Sequence, residues 1–194
     1  MNPLGAVTFF NQHEAETVEA MASRILPGTP DDPGAREADV IVYIDRALAG
    51  AYRDLQPLYR RGVAALDERA RREHGGRFAE LPEDRQDALM AALLANVAPT
   101  LDALALDEGG EDSPLLEYFA AVVHQHTIEG MFGDPVYGGN KGGVGWRLIG
   151  FPGARWGYGA EEMGYGYDSA RIPVTTLAEL RRSRVERGGE RGDG

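Results

Sequence analysis

Apolar side chains recur every three or four residues along most of this chain, the period that gathers them on one face of an α-helix, and nowhere do they alternate as in a half-buried strand. Asn11 with Glu14 three residues on has the form of an N-cap and its capping-box partner, and Ala15, Val18, Ala22 and Ile25 then repeat until Pro27. A first helix is predicted over 12–26. The three prolines and two glycines of 27–34 make a connector. From Ala35 onward, Ala38, Ile41, Ile44 and Leu48 mark a second helical face that ends near Gly50. A third helix, 52–74, puts Leu55, Val63, Leu66 and Ala70 on one side, leaves the charged run 67–73 mostly in water, and stops at Gly75-Gly76.

Pro82 followed by Glu83 and Asp84 opens a fourth helix to about Asn96, because the missing proline N–H costs nothing in a first turn and the carboxylates face the positive end of the helix dipole. Residues 107–112 read as an acidic loop. Ser113-Pro114 then opens a fifth helix, with Leu116, Phe119, Val123 and His126 on one face and its end at Gly130. The expected fold class is all-α, a bundle of about five helices.

Beyond Gly130 the texture changes. Residues 130–166 hold 13 of the 26 glycines, both tryptophans, and Phe132, Tyr137, Phe151, Tyr158 and Tyr165. A disordered linker is poor in aromatics, whereas this mixture can pack, with glycine permitting positive φ and close backbone approach. It is expected to be a long, ordered, irregular excursion. Pro173-Val174-Thr175-Thr176 then caps a short last helix, 177–184. The expected organisation is one helical domain, 1–184, with a flexible tail at 185–194.

Composition narrows the chemistry. The 194 residues carry 20 basic and 31 acidic side chains, a net charge of −11, and no cysteine. The acidic balance argues against nucleic acid, which is bound by neutralising phosphates, and against an anionic membrane surface. Without cysteine there is no thiolate nucleophile, disulfide or Cys-ligated metal. No stretch has the roughly 18–20 apolar residues that cross a bilayer, and no export signal stands before Asn11.

The run 138–145 places Lys141 among glycines, but Gly142 follows the lysine where a phosphate loop needs Ser or Thr, and the run leaves a helix rather than a strand. His124 and His126, two apart on a helix, point in opposed directions and cannot chelate one metal. His126 with Glu129 or Asp134 is a candidate acid/base group for a stand-alone small-molecule binder or hydrolase; the competing reading is a hydrogen-bonded core histidine. Asp31-Asp32 and Glu161-Glu162 read as solvated loop charges. No Gly-x-Ser-x-Gly elbow occurs. Dense aromatics with glycine therefore point to a contact surface, since Tyr and Trp dominate interface hot spots.

The run His126-Thr127-Ile128-Glu129-Gly130-Met131-Phe132-Gly133-Asp134-Pro135-Val136-Tyr137-Gly138-Gly139-Asn140, with Gly145-Trp146 and Ile149-Gly150-Phe151-Pro152-Gly153, resembles the gluconate 2-dehydrogenase subunit 3 family. Ile25-Leu26-Pro27, the 33–38 linker and Tyr43-Ile44-Asp45 are similar to it as well. The resemblance implies a small accessory (gamma) subunit without a cofactor of its own. Its large partner is implied to be an FAD-holding flavoprotein of the glucose–methanol–choline (GMC) type that oxidises a sugar or polyol, with a cytochrome c subunit and its haem c taking the electrons onward. The small subunit would support the flavoprotein's folding or export, as a stable partner or a chaperone. Such subunits commonly carry a twin-arginine signal; none is written here, so the expected location is cytoplasmic as written, or periplasmic if a signal comes from elsewhere. Phe132, Tyr137, Trp146 and Phe151 are the expected partner anchors. Asp134, Asn140, Gly138, Gly139 and Gly153 would fix the turns, with His126, Thr127, Pro135 and Pro152 completing the expected partner-binding set.

Overall fold

A computed structural model describes residues 8–95 and 113–189. Among these are seven α-helices and no strand: α1 (Gln12–Ile25), α2 (Val40–Ala49), α3 (Gln56–His74), α4 (Glu83–Leu94), α5 (Ser113–Phe132), α6 (Val144–Leu148) and α7 (Leu177–Gly189). The class is all-α. Helix α1 begins as expected: the Asn11 side chain accepts from the Glu14 N–H at 2.9 Å and the Glu14 carboxylate from the Asn11 N–H at 3.0 Å.

Helix α5 is the axis, packed against each of α1 to α4. Leu116, Phe119, Ala120 and Val123 are fully buried along it, facing Val18 and Met21 of α1, Ile44 and Leu48 of α2, Leu66 of α3 and Leu93 of α4 within one core. Burying side chains of this size contributes about 1.5–3 kcal/mol each. Asp45, buried in α2, accepts the backbone N–H groups of Thr8, Phe9 and Phe10 at 2.6, 2.9 and 2.9 Å. That carboxylate ties the segment leading into α1 onto α2, with Phe10 in the core.

Several boundaries differ from the periodic pattern for local reasons. Helix α2 starts at Val40 rather than Ala35, because Asp39 has left-handed backbone (φ 51°) and separates a turn at 34–38 from the helix, although Ala35 and Ala38 are buried as expected. The third helix is preceded by a 3₁₀ turn at Arg53–Leu55, and α3 itself starts at Gln56 with Pro57 in its first turn. Asp67 departs from the water-facing run assigned to it. It is buried, accepting the Phe78 N–H at 3.0 Å and pairing with His13 at 2.6 Å. Helix α5 passes through Gly130 to Phe132, since the missing side chain there makes room for Tyr43 and Val40 of α2. The segment after it is not wholly irregular, for α6 lies inside it. Helix α7 continues past 184 to Gly189, into part of the presumed tail. Asn96 and the acidic loop at 107–112 lie outside the described residues.

Where α3 crosses α5, Gly62 lets the Phe119 ring approach: a Cβ at 62 would lie 2.3 Å from it. Phe119 is fully buried and edge-on to Tyr59, so the ring has nowhere to go. Alanine at an ordinary helix position would stabilise by about 1 kcal/mol, and overpacking costs about 1–3 kcal/mol. Gly62→Ala is therefore expected to destabilise the protein by about 1–2 kcal/mol in urea unfolding; a gain in stability would refute this packing.

Candidate functional site

The end of a helix leaves carbonyl groups without intrahelical partners. At the end of α5 they are met by the glycine-rich segment that follows. The Trp146 indole N–H donates to the Phe132 carbonyl at 2.6 Å, and the Asn140 amide donates to the Gly133 carbonyl at 2.8 Å. Asn140 also accepts the Gly145 N–H at 2.8 Å, so one side chain joins the helix end to α6. It is wholly buried, and its backbone is left-handed (φ 45°), a conformation asparagine tolerates better than most residues. Two glycines are needed for the close approach. A Cβ on Gly139 would stand 2.2 Å from the Gly130 carbonyl oxygen, and one on Gly145 would stand 2.0 Å from that of Met131.

The far end of the segment is pinned as well. Asp134 accepts from Val136 N–H at 2.9 Å and, with its other oxygen, from Leu177 N–H at 2.8 Å, placing a carboxylate at the positive end of α7. Thr176 and Glu179 complete that cap reciprocally, as expected for the Pro173–Thr176 stretch. Gly153 and Thr175 form a parallel bridge, with the Ala154 N–H donating to the Thr175 carbonyl at 2.7 Å and the Thr175 N–H to the Pro152 carbonyl at 3.0 Å.

This frame sorts the aromatic residues into two sets. Trp146 is buried and Phe151 stands edge-on to it at 5.3 Å with its outer face in solvent. Every large hydrophobic side chain that is exposed among the described residues lies between 128 and 165: ten in all, including Tyr137 (58% exposed), Ile149, Phe151, Trp156 (67%), Tyr158, Met163 and Tyr165. The rest of the described surface has none. Concentrations of exposed apolar groups of this kind mark interaction sites.

Beside this set, α2 and the end of α5 enclose an open groove of about 700 Å³ with almost wholly apolar walls, among them Tyr43, Tyr52, Phe132 and Tyr137. Its one carboxylate is Glu129. The hydroxyls of Tyr43 and Tyr52 donate to Glu129 Oε2 at 2.7 and 3.3 Å, and Gln125 donates to Oε1 at 3.0 Å. Burial and the adjacent carboxylate raise the Tyr43 pKa well above the usual phenol range. Behind Tyr52, at 4.7 Å and nearly parallel, stacks the buried His126 ring, whose Nδ1 meets the Tyr59 hydroxyl at 2.8 Å. Burial holds the His126 pKa below its ordinary value, outweighing the Glu129 charge.

His126, Glu129 and Asp134 are thus each engaged by different groups, and no hydrogen bond joins any two of them. Of the residues expected to bind a partner, Tyr137 and Phe151 stand exposed, while Phe132, Asp134, Pro135 and Gly138 are half-buried. His126, Thr127, Gly139, Asn140, Trp146, Pro152 and Gly153 are buried in the chain itself. Lys141 pairs with Asp39 at 2.8 Å. Glu162 is not simply a solvated charge: it accepts the Gly159 N–H at 2.7 Å and pairs with Arg155. The sequence pattern did not single out the groove, because Tyr43 and Tyr52 sit on an otherwise ordinary core helix and its flank. No group of three or more His, Asp or Glu among the described residues is placed to hold a metal ion. No described helix is long and apolar enough to cross a membrane.

A family model described as gluconate 2-dehydrogenase subunit 3 matches residues 12–153, well over half of the chain. Neither the curated proteins nor the solved structures contain a match.

Asn140→Ala leaves a buried N–H and a carbonyl unpaired, each costing about 1–3 kcal/mol. Limited proteolysis is expected to open 134–166 rapidly in this variant while circular dichroism retains the helical signal; unchanged resistance would contradict the assigned role. His126 titrates below its unfolded value, so its contribution is intact above about pH 6.5 and is lost as the pH falls through the lowered value in the folded state. Thermal unfolding at pH 7.5 and 5.5 is expected to show a steeper acid-side loss in the native chain than in His126→Gln; parallel losses would contradict it.

Proposed function

The chain belongs to the gluconate 2-dehydrogenase subunit 3 family, and we propose that it is the non-catalytic accessory subunit of an FAD-dependent dehydrogenase complex. In this reading the partner is a large flavoprotein of the GMC oxidoreductase type. It binds FAD and oxidises an alcohol carbon of a sugar, glycoside or polyol, and a cytochrome c subunit carries the electrons onward. This chain contributes contact: it covers an apolar face of the flavoprotein and so favours its folded, cofactor-loaded state by mass action.

The observation that carries the reading is the confinement, among the described residues, of the exposed large apolar side chains to 128–165, on a segment whose backbone is held by Asn140, Trp146 and Asp134. A pre-ordered apolar surface binds without the ordering cost that a flexible loop would incur. Aromatic side chains at its centre are the residue types that dominate interface energies. The residues proposed to touch the partner are Tyr137, Phe151, Trp156 and Tyr158, with Phe132 at the adjoining groove.

Co-expression of the chain with a GMC-type flavoprotein of the same genome is expected to yield a stable complex and more soluble, active flavoprotein than expression of the flavoprotein alone. Replacing Tyr137 and Trp156 together with serine is expected to weaken the complex by about 2–4 kcal/mol, about 30-fold or more in Kd, with the thermal unfolding of the isolated chain unchanged. Flavoprotein equally soluble and active without this chain would refute the proposal.

A further inference from the structure

Glu129 differs from the other carboxylates withdrawn from water. Glu14 meets Arg60, Asp67 meets His13, Glu162 meets Arg155, and Asp45 and Asp134 are each satisfied by backbone N–H groups. Glu129 receives only neutral donors, two phenol hydroxyls and a glutamine amide. Among the described residues no Lys, Arg or His nitrogen lies within ion-pair distance of it. Arg46 lines the same groove, but its side chain runs along Gly138 and does not reach the carboxylate.

A carboxylate has room for about four donors, and Glu129 uses three. The walls around it are aromatic faces and aliphatic stems, which suit an apolar stem and attract a cation through the ring quadrupole. Bringing a low-dielectric partner surface over this groove would strand the charge unless the partner supplied its opposite. From this charge complementarity we propose that the groove receives one arginine or lysine side chain of the flavoprotein, its stem against Tyr43, Tyr52 and Phe132 and its cationic head on Glu129. This rests on the accessory-subunit reading and names the partner chemistry that this face requires. The groove opens beside Ile128 and Tyr137, at the edge of the exposed apolar set, so one partner surface can cover both.

Glu129→Gln keeps an acceptor for the tyrosine hydroxyls and removes the charge. Measured by biolayer interferometry against the flavoprotein subunit, it is expected to weaken binding at least about 30-fold, as loss of one member of a desolvated charge pair does. Glu68→Gln, which removes an exposed carboxylate on α3 away from the groove, is expected to bind as the native chain does. Thermal unfolding of both isolated variants checks that the fold is kept. A photo-crosslinking residue at the exposed, groove-lining Ala51 is expected to capture a flavoprotein peptide containing Arg or Lys. Native-like binding by Glu129→Gln overturns the groove assignment and leaves the accessory reading standing, as does an equal loss of binding in Glu68→Gln, which would make the effect one of net charge. A crosslink to a second copy of this chain, or to a peptide without a basic residue, overturns it likewise. Failure of the native chain to bind the flavoprotein overturns both.

Discussion

The carbonyl end of α5 is the constraint on which the distinctive part of this molecule depends. Four helices enclose α5, and a helix end in such a setting must find donors for its last carbonyls or bear the cost of burying them unpaired. The donors come from Asn140 and Trp146, and they come at short range because Gly139 and Gly145 carry no side chain where the backbone passes the helix. Once that contact is made, the direction of the chain from 133 to 153 is set. Asp134 and the bridge at Gly153 and Thr175 then extend the same frame to α7.

A surface follows from that frame. The side chains that cap and pack face inward, while Tyr137, Ile149, Phe151, Trp156, Tyr158, Met163 and Tyr165 face outward. The segment joins two roles usually kept apart: it closes the carbonyl end of α5 and carries the exposed apolar side chains. Glu129 sits at the junction. Its hydrogen bonds to Tyr43 and Tyr52 tie α5 to α2 and its flank, and through Tyr52 it adjoins the stacked, buried His126. The histidine lies behind the groove wall, stacked on Tyr52 and bonded to the Tyr59 hydroxyl.

The helices were legible in the sequence because their apolar period, caps and proline or glycine stops agree with one another; Asn11 with Glu14, and the 173–176 stretch ahead of α7, show the local chemistry acting as read. Boundaries drifted where backbone conformation overrode the period. Asp39 takes a left-handed conformation that a periodic apolar face cannot reveal, and Gly130 continues a helix because of what α2 places opposite it. Asp67 lay hidden in a charged run, since its burial depends on His13 and Phe78, distant in sequence. The glycine and aromatic content located the candidate surface, but composition does not distinguish Trp146, which caps, from Trp156, which is displayed. That division depends on tertiary contacts to α5. The groove was invisible for the same reason: Tyr43, Tyr52 and Glu129 are brought together only when α2 packs on α5.

Hydrogen–deuterium exchange of the chain, free and in the presence of the flavoprotein proposed as its partner, is the decisive measurement, because it locates a contact face without altering any residue. Slowed exchange is expected in 128–165 and in the α2 residues that line the groove, with α1, α3 and α4 unchanged on their outer faces. Protection centred on α1, α3 or α4, with 128–165 exchanging as in the free chain, would contradict it.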